Sequence, residues 1–274
     1  FNAGSLFRYS DPGFSLPSVS GRTYANFEFN ANKISNCIAS NSFVCDSLTV
    51  SVGTLNLNLQ GTPTPDHSIR GNINIKTGAN LSFSPAVAGT INMNSGGNQI
   101  IWGAGTFNVN ALSTFDINAG TTVSLQKNMG LNNTGSMPVN GTLILTGENS
   151  INSPLVAGGT VTVNNGGTLS IQSVNGISDA GVGNIRSTNF SYNTGGNFIY
   201  SGNANQVTGN RLPLTLNAPS ELTIANTGIA PANVVTLTTN NTTTPRINLN
   251  AGQFNAGTGG TLIINGGTNL VVDG

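Results

Sequence analysis

Gly53-Thr54-Leu55-Asn56-Leu57-Asn58, Gly71-Asn72-Ile73-Asn74-Ile75-Lys76 and Gly89-Thr90-Ile91-Asn92-Met93-Asn94 are three versions of one phrase. Each opens on glycine, continues with a polar residue, and then alternates apolar with polar side chains. Strict alternation is the signature of a strand that buries one face. The phrase returns as Gly105-Thr106-Phe107-Asn108-Val109-Asn110, Gly141-Thr142-Leu143-Ile144-Leu145-Thr146, Gly159-Thr160-Val161-Thr162-Val163-Asn164 and Gly260-Thr261-Leu262-Ile263-Ile264-Asn265. The starts at 53, 71 and 89 are 18 apart, as are those at 141 and 159, and 105 to 141 is two such steps. A second strand follows a tight turn in several units: Asn165-Gly166-Gly167 precedes Thr168-Leu169-Ser170-Ile171, and Thr77-Gly78-Ala79-Asn80 precedes Leu81-Ser82-Phe83-Ser84. Glycine and asparagine there supply the positive-φ conformations that sharp corners need.

An even step near 18 residues with one β unit per step predicts a β-solenoid and is too short for a propeller blade. The expected fold is all-β: a right-handed parallel β-helix of about 18 residues per coil, with handedness taken from the general preference of parallel connections. About 15 such coils at ~4.8 Å each would make a rod of roughly 70 Å. Asn-Gly turns between alternating strands also mark hairpins, so an antiparallel sandwich is the competing architecture. The regular step favours the solenoid, because hairpin loops of varied length drift out of phase.

Composition narrows the function classes. Charged residues are 7% of the 274, nine Lys and Arg balance nine Asp and Glu, and 43 positions are asparagine. No basic stripe exists to grip nucleic acid. The abundance of Val, Ile, Leu and Thr argues against disorder. Glu and Lys are scarce and Gly and Asn punctuate every stretch, which disfavours helix. No apolar run approaches the ~18–20 residues of a membrane-spanning helix. Solubility therefore rests on Asn, Thr, Ser and Gly. In stacked coils such residues face their equivalents, so amide ladders along the rod axis are expected. Without an initiator methionine or signal peptide, and with strand pattern running to its last residues, the chain reads as an excised piece of a longer secreted polypeptide.

A longer repeat overlies the short one. Leu6-Phe7-Arg8-Tyr9-Ser10 parallels Asn197-Phe198-Ile199-Tyr200-Ser201, and Gly13-Phe14-Ser15-Leu16-Pro17 parallels the stretch up to Leu212-Pro213, at an offset of 191. The expected organisation is one module over 1–191 and the start of a similar, continuous one over 192–274. The segment Phe198-Ile199-Tyr200-Ser201-Gly202-Asn203-Ala204-Asn205-Gln206-Val207-Thr208-Gly209-Asn210-Arg211-Leu212-Pro213-Leu214-Thr215-Leu216-Asn217, followed by Leu222-Thr223-Ile224-Ala225-Asn226, resembles a recurring element of repetitive giant cell-surface, adhesin-like proteins of Bacteroidota. Those are typically type IX secretion cargo, including gliding-associated proteins. The resemblance covers about 30 residues well and the Gly-Thr strands only in general. It implies an extracellular, cell-surface location and a structural stalk or repeat segment of an adhesin or fibre. Implied partners are neighbouring modules of the same chain or filament, with surface glycans as a further candidate. The C-terminal sorting domain of that family has no counterpart here. Asp46-Ser47-Leu48 fits the short O-glycosylation pattern of the phylum, marking Ser47.

The residue types that carry chemistry are thinly spread. The aspartates Asp11, Asp46, Asp66, Asp116, Asp179 and Asp273 stand apart, and no nucleophile elbow, phosphate loop or zinc motif occurs. Asp66-His67-Ser68-Ile69-Arg70, after Pro63-Thr64-Pro65, is the one cluster with acid-base potential; its plainer reading is a solvated loop interrupting a coil. No D-x-D spacing supports calcium. The threonines are not regular enough for an ice-binding face, since Thr54, Thr90 and Thr106 are each followed two residues on by Asn. Trp102 and the N-terminal aromatics Phe1, Phe7, Tyr9, Phe14, Tyr24, Phe27 and Phe29 are candidate sugar platforms or core fillers. Cys37 and Cys45, eight apart, are either a disulfide closing a small loop or two buried thiols. The sequence is therefore read as non-enzymatic and free of cofactors, with a carbohydrate-binding or polysaccharide-degrading β-helix protein as the alternative.

Overall fold

A computed structural model describes the chain except residues 1, 3, 12, 14–17, 40, 60–66, 153–157, 179–180, 239–240, 259–260, 265–269 and 273–274. The described elements are all strands, and every pairing between them is parallel. The alternation of the Gly-Thr phrases is visible directly in burial. In Gly89–Met93 the side chains of Ile91 and Met93 are inside and those of Thr90 and Asn92 outside; Ser113–Ile117 and Thr142–Leu145 behave alike. The architecture is a parallel β-solenoid, as the sequence predicts, and the antiparallel sandwich is excluded.

Each coil has three sides. His67–Ile69, Ile73–Ile75 and Asn80–Phe83 form the first, second and third side of one coil, and Gly89–Met93, Asn98–Trp102 and Thr106–Val109 those of the next. Like sides pair in register: His67 with Ile91, Ile73 with Ile101, Asn80 with Thr106. The residues that pair are 26 apart at Thr54 and Asn80, 24 at Gly89 and Ser113, and 20 at Thr122 and Thr142.

The coil is thus somewhat longer than the 18-residue step, and the geometry explains the difference. Thr54 is on a third side, Ile73 on the following second side, Gly89 on the following first side and Thr106 on a third side again. One 18-residue step carries the chain two sides onward, so three steps close two coils. The phrase recurs on every side because each side needs the same thing: a glycine at the corner, then an alternating strand. At Gly105 a Cβ would lie 2.4 Å from the carbonyl oxygen of Ala79, and at Gly141 2.3 Å from that of Asn118, so the corner backbones touch from coil to coil and exclude a side chain.

The second side runs unbroken through twelve strand segments, from Leu6–Tyr9 through residues 26–29 and 47–50 to Leu270–Val272. At ~4.8 Å per step that column is about 50 Å long, shorter than 15 coils would give. It passes position 191 without interruption.

Inward side chains form files along the axis. Leu55, Leu81 and Phe107 stack on the third side, and Phe83, Phe107 and Phe115 meet with ring centroids 5.6–5.9 Å apart. At the N-terminal end Tyr24, Phe27 and Phe43 are buried and mutually packed, and buried Phe29 stacks on Tyr9. These aromatics fill the core, as such residues usually do.

Outward side chains form the expected amide ladders. Asn140 donates to Asp116 Oδ1 at 2.7 Å, Asn164 to Asn140 Oδ1 at 2.8 Å and Asn193 to Asn164 Oδ1 at 2.7 Å. Asn132 donates to Asn110 Oδ1 and Asn56 to Asn36 Oδ1, both at 2.8 Å. A set of buried amides complements them inside. Asn184 accepts from the backbone N–H of Gln172 and Ser173 and donates to the carbonyls of Gly147 and Asn149. Gln99 donates to the carbonyls of Ile69 and Gly71. These buried amides tie the backbones of neighbouring corners together.

Candidate functional site

The cluster expected on a solvated loop is arranged otherwise. His67, Ser68 and Ile69 form a buried strand of the first side, and His67 Nδ1 accepts the backbone N–H of Phe43 at 3.2 Å. Arg70 is exposed beyond it. Pro and Gly on both sides mask the strand in the sequence, yet Ser68 and Ile69 pair in register with Val44 and Cys45. Asp66 and the Pro63-Thr64-Pro65 stretch lie outside the described residues, as do Asp179 and Asp273.

Glu28, Glu148, Glu221 and Asp116 act as staples between coils. Glu28 accepts from Arg8 Nε at 2.7 Å and from Ser51 Oγ at 2.6 Å. Burial pushes its carboxyl up, but the Ser51 and Arg8 contacts outweigh that and hold it below the usual range. Glu148 accepts from Ser173 Oγ and the Val174 N–H, and Glu221 from Arg246 and Asn248. Asp116 carries the first rung of its ladder; burial raises its pKa against the lowering effect of the Asn140 bond. Asp11 and Asp46 are exposed. Among the described residues no three His, Cys, Asp or Glu side chains converge as a metal site.

Cys37 and Cys45 are free, buried thiols, not the candidate disulfide. The eight-residue spacing carries the chain round a corner: Cys37 lies on a third side opposite Leu57, and Cys45 on the following first side between Tyr24 and Ile69. Desolvation pushes Cys37 up to about 11 and Cys45 further, so neither thiol is activated. Ser47 is half-buried on the outer face of the second side, and its hydroxyl donates to Asn26 Oδ1 at 2.6 Å.

Trp102 is half-buried at the end of a second-side strand, opposite Asn74. Thr90, Thr114, Ser136 and Thr160 do stack in one outward file on the first side, but the adjacent file reads Asn92, Asp116, Pro138 and Thr162. That alternation of chemistry leaves no uniform threonine face.

The segment around Gln206 has a structural explanation. Tyr200 is fully buried and its hydroxyl donates to the Thr208 carbonyl at 2.7 Å. Gln206 Nε2 donates to the carbonyls of Ile171 and Ser173, at 3.2 and 3.1 Å, while Oε1 accepts from the Gly202 N–H at 2.8 Å and from Asn226 at 3.0 Å. Gly209, at φ +83°, packs so closely that a Cβ would sit 2.0 Å from the Ile177 carbonyl oxygen. Arg211 donates to the carbonyls of Ser187 and Thr188. Tyrosine, glutamine, glycine and arginine together clamp an irregular coil onto its predecessor. Sequence reasoning singled the segment out as a repeat element without seeing this role, because the Gln206 partners Ile171, Ser173 and Asn226 sit 20 to 35 residues away.

Two surface recesses among the described residues stand beside these elements. One, of 420 Å³, lies where the short Val52-Gly53 corner falls between longer corners at Asn32-Lys33 and Thr77-Gly78. The other, of 300 Å³, lies on the third side over Gly130. Comparison of the chain with protein-family models, with curated proteins and with solved structures found no match.

Proposed function

We propose that this chain is a structural stalk segment of an extracellular surface adhesin or fibre, and that it performs no catalysis. The observation that carries the reading is the second side, one parallel column about 50 Å long, flanked by first and third sides whose outer surfaces are tied by amide ladders. A rod of this kind transmits position and tension without needing a cleft. The described acids are not gathered on one face, and Glu28, Glu148 and Glu221 each hold neighbouring coils together. The partners of such a segment are further coils of the same kind, because a parallel strand edge is completed by another parallel strand. Equivalent strands at Leu6–Tyr9 and Asn197–Tyr200 both take the second side, which fits modules joined end to end. Export by the type IX route belongs to the same reading and rests on the resemblance of the Gln206 segment.

The test is surface labelling and adhesion. Antibodies raised against the folded rod should decorate intact cells of the source organism, and deletion of the coding region should reduce attachment to a substratum. Antigen found only after the cells are lysed, or attachment unchanged by the deletion, overturns the proposal.

A further inference from the structure

The outer face of the second side holds one file with a two-coil rhythm. Ile100, Ser124, Ile144, Ser170, Ile199 and Thr223 take the same position in six successive coils. The residue after each of them points inward and is buried, so the file itself faces out. Large and small side chains alternate along it, and the isoleucines recur every ~9.6 Å. The isoleucines are half-buried, whereas Ser170 and Thr223 are only 6% and 8% exposed and lie in the gaps between taller neighbours. The file is a row of knobs and holes.

Such a row is complementary to itself in one arrangement. A two-fold axis along the strand direction, passing between Ile144 and Ser170, turns a second copy end for end and sets each outward file against its own copy. Ile144 then meets the partner's Ser170, Ser124 the partner's Ile199, and Ile100 the partner's Thr223, each contact made twice. The interdigitation is that of a dry zipper between two sheets. A pair of rods pointing the same way, related by a two-fold along the rod, sets isoleucine against isoleucine and leaves the serines facing a void.

The adjoining positions agree with the end-for-end arrangement. The outward file two residues earlier reads Asn98, Thr122, Thr142, Thr168 and Asn197. The same axis sets Thr142 against the partner's Thr168 and Thr122 against the partner's Asn197. Two residues later, Trp102 meets the partner's Ala225, a wide side chain against a narrow one. Glu221 is already paired with Arg246 of its own chain, and it faces the partner's Asn98, so no like charges are brought together. With the axis between the seventh and eighth of the twelve second-side segments, the third to the twelfth overlap. A face of ~48 Å by ~16 Å is about 750 Å² from each partner, close to the ~800 Å² of a standard stable interface.

We infer that the second side is a homodimer interface, on which two copies of this chain pack end for end with isoleucine set into serine. The inference goes beyond the stalk reading and stands apart from it: rods can pair in solution whether or not they reach a cell surface.

Sedimentation velocity over a concentration series tests it, with a dissociation constant of about 1–100 μM expected for an uncharged interface of this size. Ser124→Ile opposes two isoleucines and Ile199→Ser opposes two serines, and each should weaken dimerisation about ten-fold or more. The double variant sets the new isoleucine against the new serine and should return to within about three-fold of wild type. That recovery separates loss of fit from loss of fold, as does an unchanged circular dichroism spectrum. For orientation, Thr142→Cys should be crosslinked between copies by a short bis-maleimide. Asn248→Cys should not, because its two copies stand seven coils apart, ~34 Å. A chain that stays monomeric up to about 1 mM, single variants that dimerise like wild type, a double variant no better than the singles, or crosslinking through Asn248→Cys overturns the inference.

Discussion

Replacing Gln206 with leucine removes one side chain of similar size and four hydrogen bonds. Their partners do not suffer equally. The Ile171 carbonyl keeps the Ser201 N–H at 2.9 Å, the Ser173 carbonyl keeps the Gly176 N–H at 3.1 Å, and Asn226 keeps the Ala204 carbonyl at 2.6 Å. Only the Gly202 N–H is left with no acceptor. A buried orphan donor costs about 1–3 kcal/mol, and each of the other three lost bonds about 0.5–1 kcal/mol. The expected destabilisation is about 2.5–6 kcal/mol, a large part of the stability of an ordinary domain. Gln206→Glu sharpens the reasoning, since it sets a carboxylate against two carbonyl oxygens. Burial and that repulsion raise its folded pKa above the unfolded ~4.3, so the variant is best tolerated below pH 4 and loses stability as pH rises through the folded value. Urea denaturation followed by circular dichroism gives the stability, and hydrogen exchange of the Gly202 amide reports the local loss. A Gln206→Leu protein within 1 kcal/mol of wild type, with Gly202 still protected, would refute the clamp.

Three further outcomes follow from the same geometry. Ellman's reagent should label no thiol in the native protein and both Cys37 and Cys45 in denaturant without reductant; no labelling in denaturant would show a disulfide. Gly209→Ala should destabilise by about 2 kcal/mol or more, because a Cβ meets the Ile177 carbonyl oxygen at 2.0 Å and φ is +83°, whereas Gly78→Ala, with φ +77° and open space, should cost only about 1 kcal/mol; equal costs in urea titrations would contradict the close packing at Gly209. Lys127, which donates to the Gly105 carbonyl, is pushed down to about 8 by burial, so the unfolded chain holds its proton more tightly; stability should rise from about pH 8 toward pH 10 and stay flatter in Lys127→Met, as measured by thermal melts across that range.

Alternation in the Gly-Thr phrases was enough to assign strands and their buried faces, because a period of two is a local property of each segment. The coil length was harder to read. Spacing between like phrases measures the distance between like corners, and here all three corners of the coil are alike, so Gly53, Gly71 and Gly89 mark three different sides. The amide ladders could be anticipated from asparagine content and stacking alone. The buried amides could not: nothing local distinguishes Gln206 or Asn184, which reach carbonyls 33 to 37 residues away, from the exposed Gln and Asn residues around them. His67 was misjudged for the opposite reason. Its proline and glycine neighbours signal a loop, while the pairing of Ser68 and Ile69 with Val44 and Cys45 makes a strand. The Gly130 recess depends on which residues are stacked above and below it, and that register is invisible without the coil length.

The same stacking accounts for the scarcity of charge. A side chain on the outer face of a solenoid stands ~4.8 Å from its equivalents in the coils above and below. Two like charges at that distance repel by about 0.9 kcal/mol even with the full dielectric of water, and a file of them adds that term at every step. An asparagine at the same spacing does the reverse, since its NH₂ meets the next amide's oxygen. Asp116 shows where a charge is compatible with a ladder: it is a terminal rung, accepts from Asn140, and has no acid stacked on it, with Asn92 below and Pro138 above. Glu28 and Glu221 are accommodated differently, each across from an arginine one coil away, Arg8 and Arg246. Among the described residues, Asp116 thus enters the stack as a single rung and Glu28 and Glu221 as members of opposite pairs. A chain whose outer surface is mostly ladder is thereby held to few Asp, Glu, Lys and Arg, and the 7% of charged residues and 43 asparagines are two consequences of one geometry.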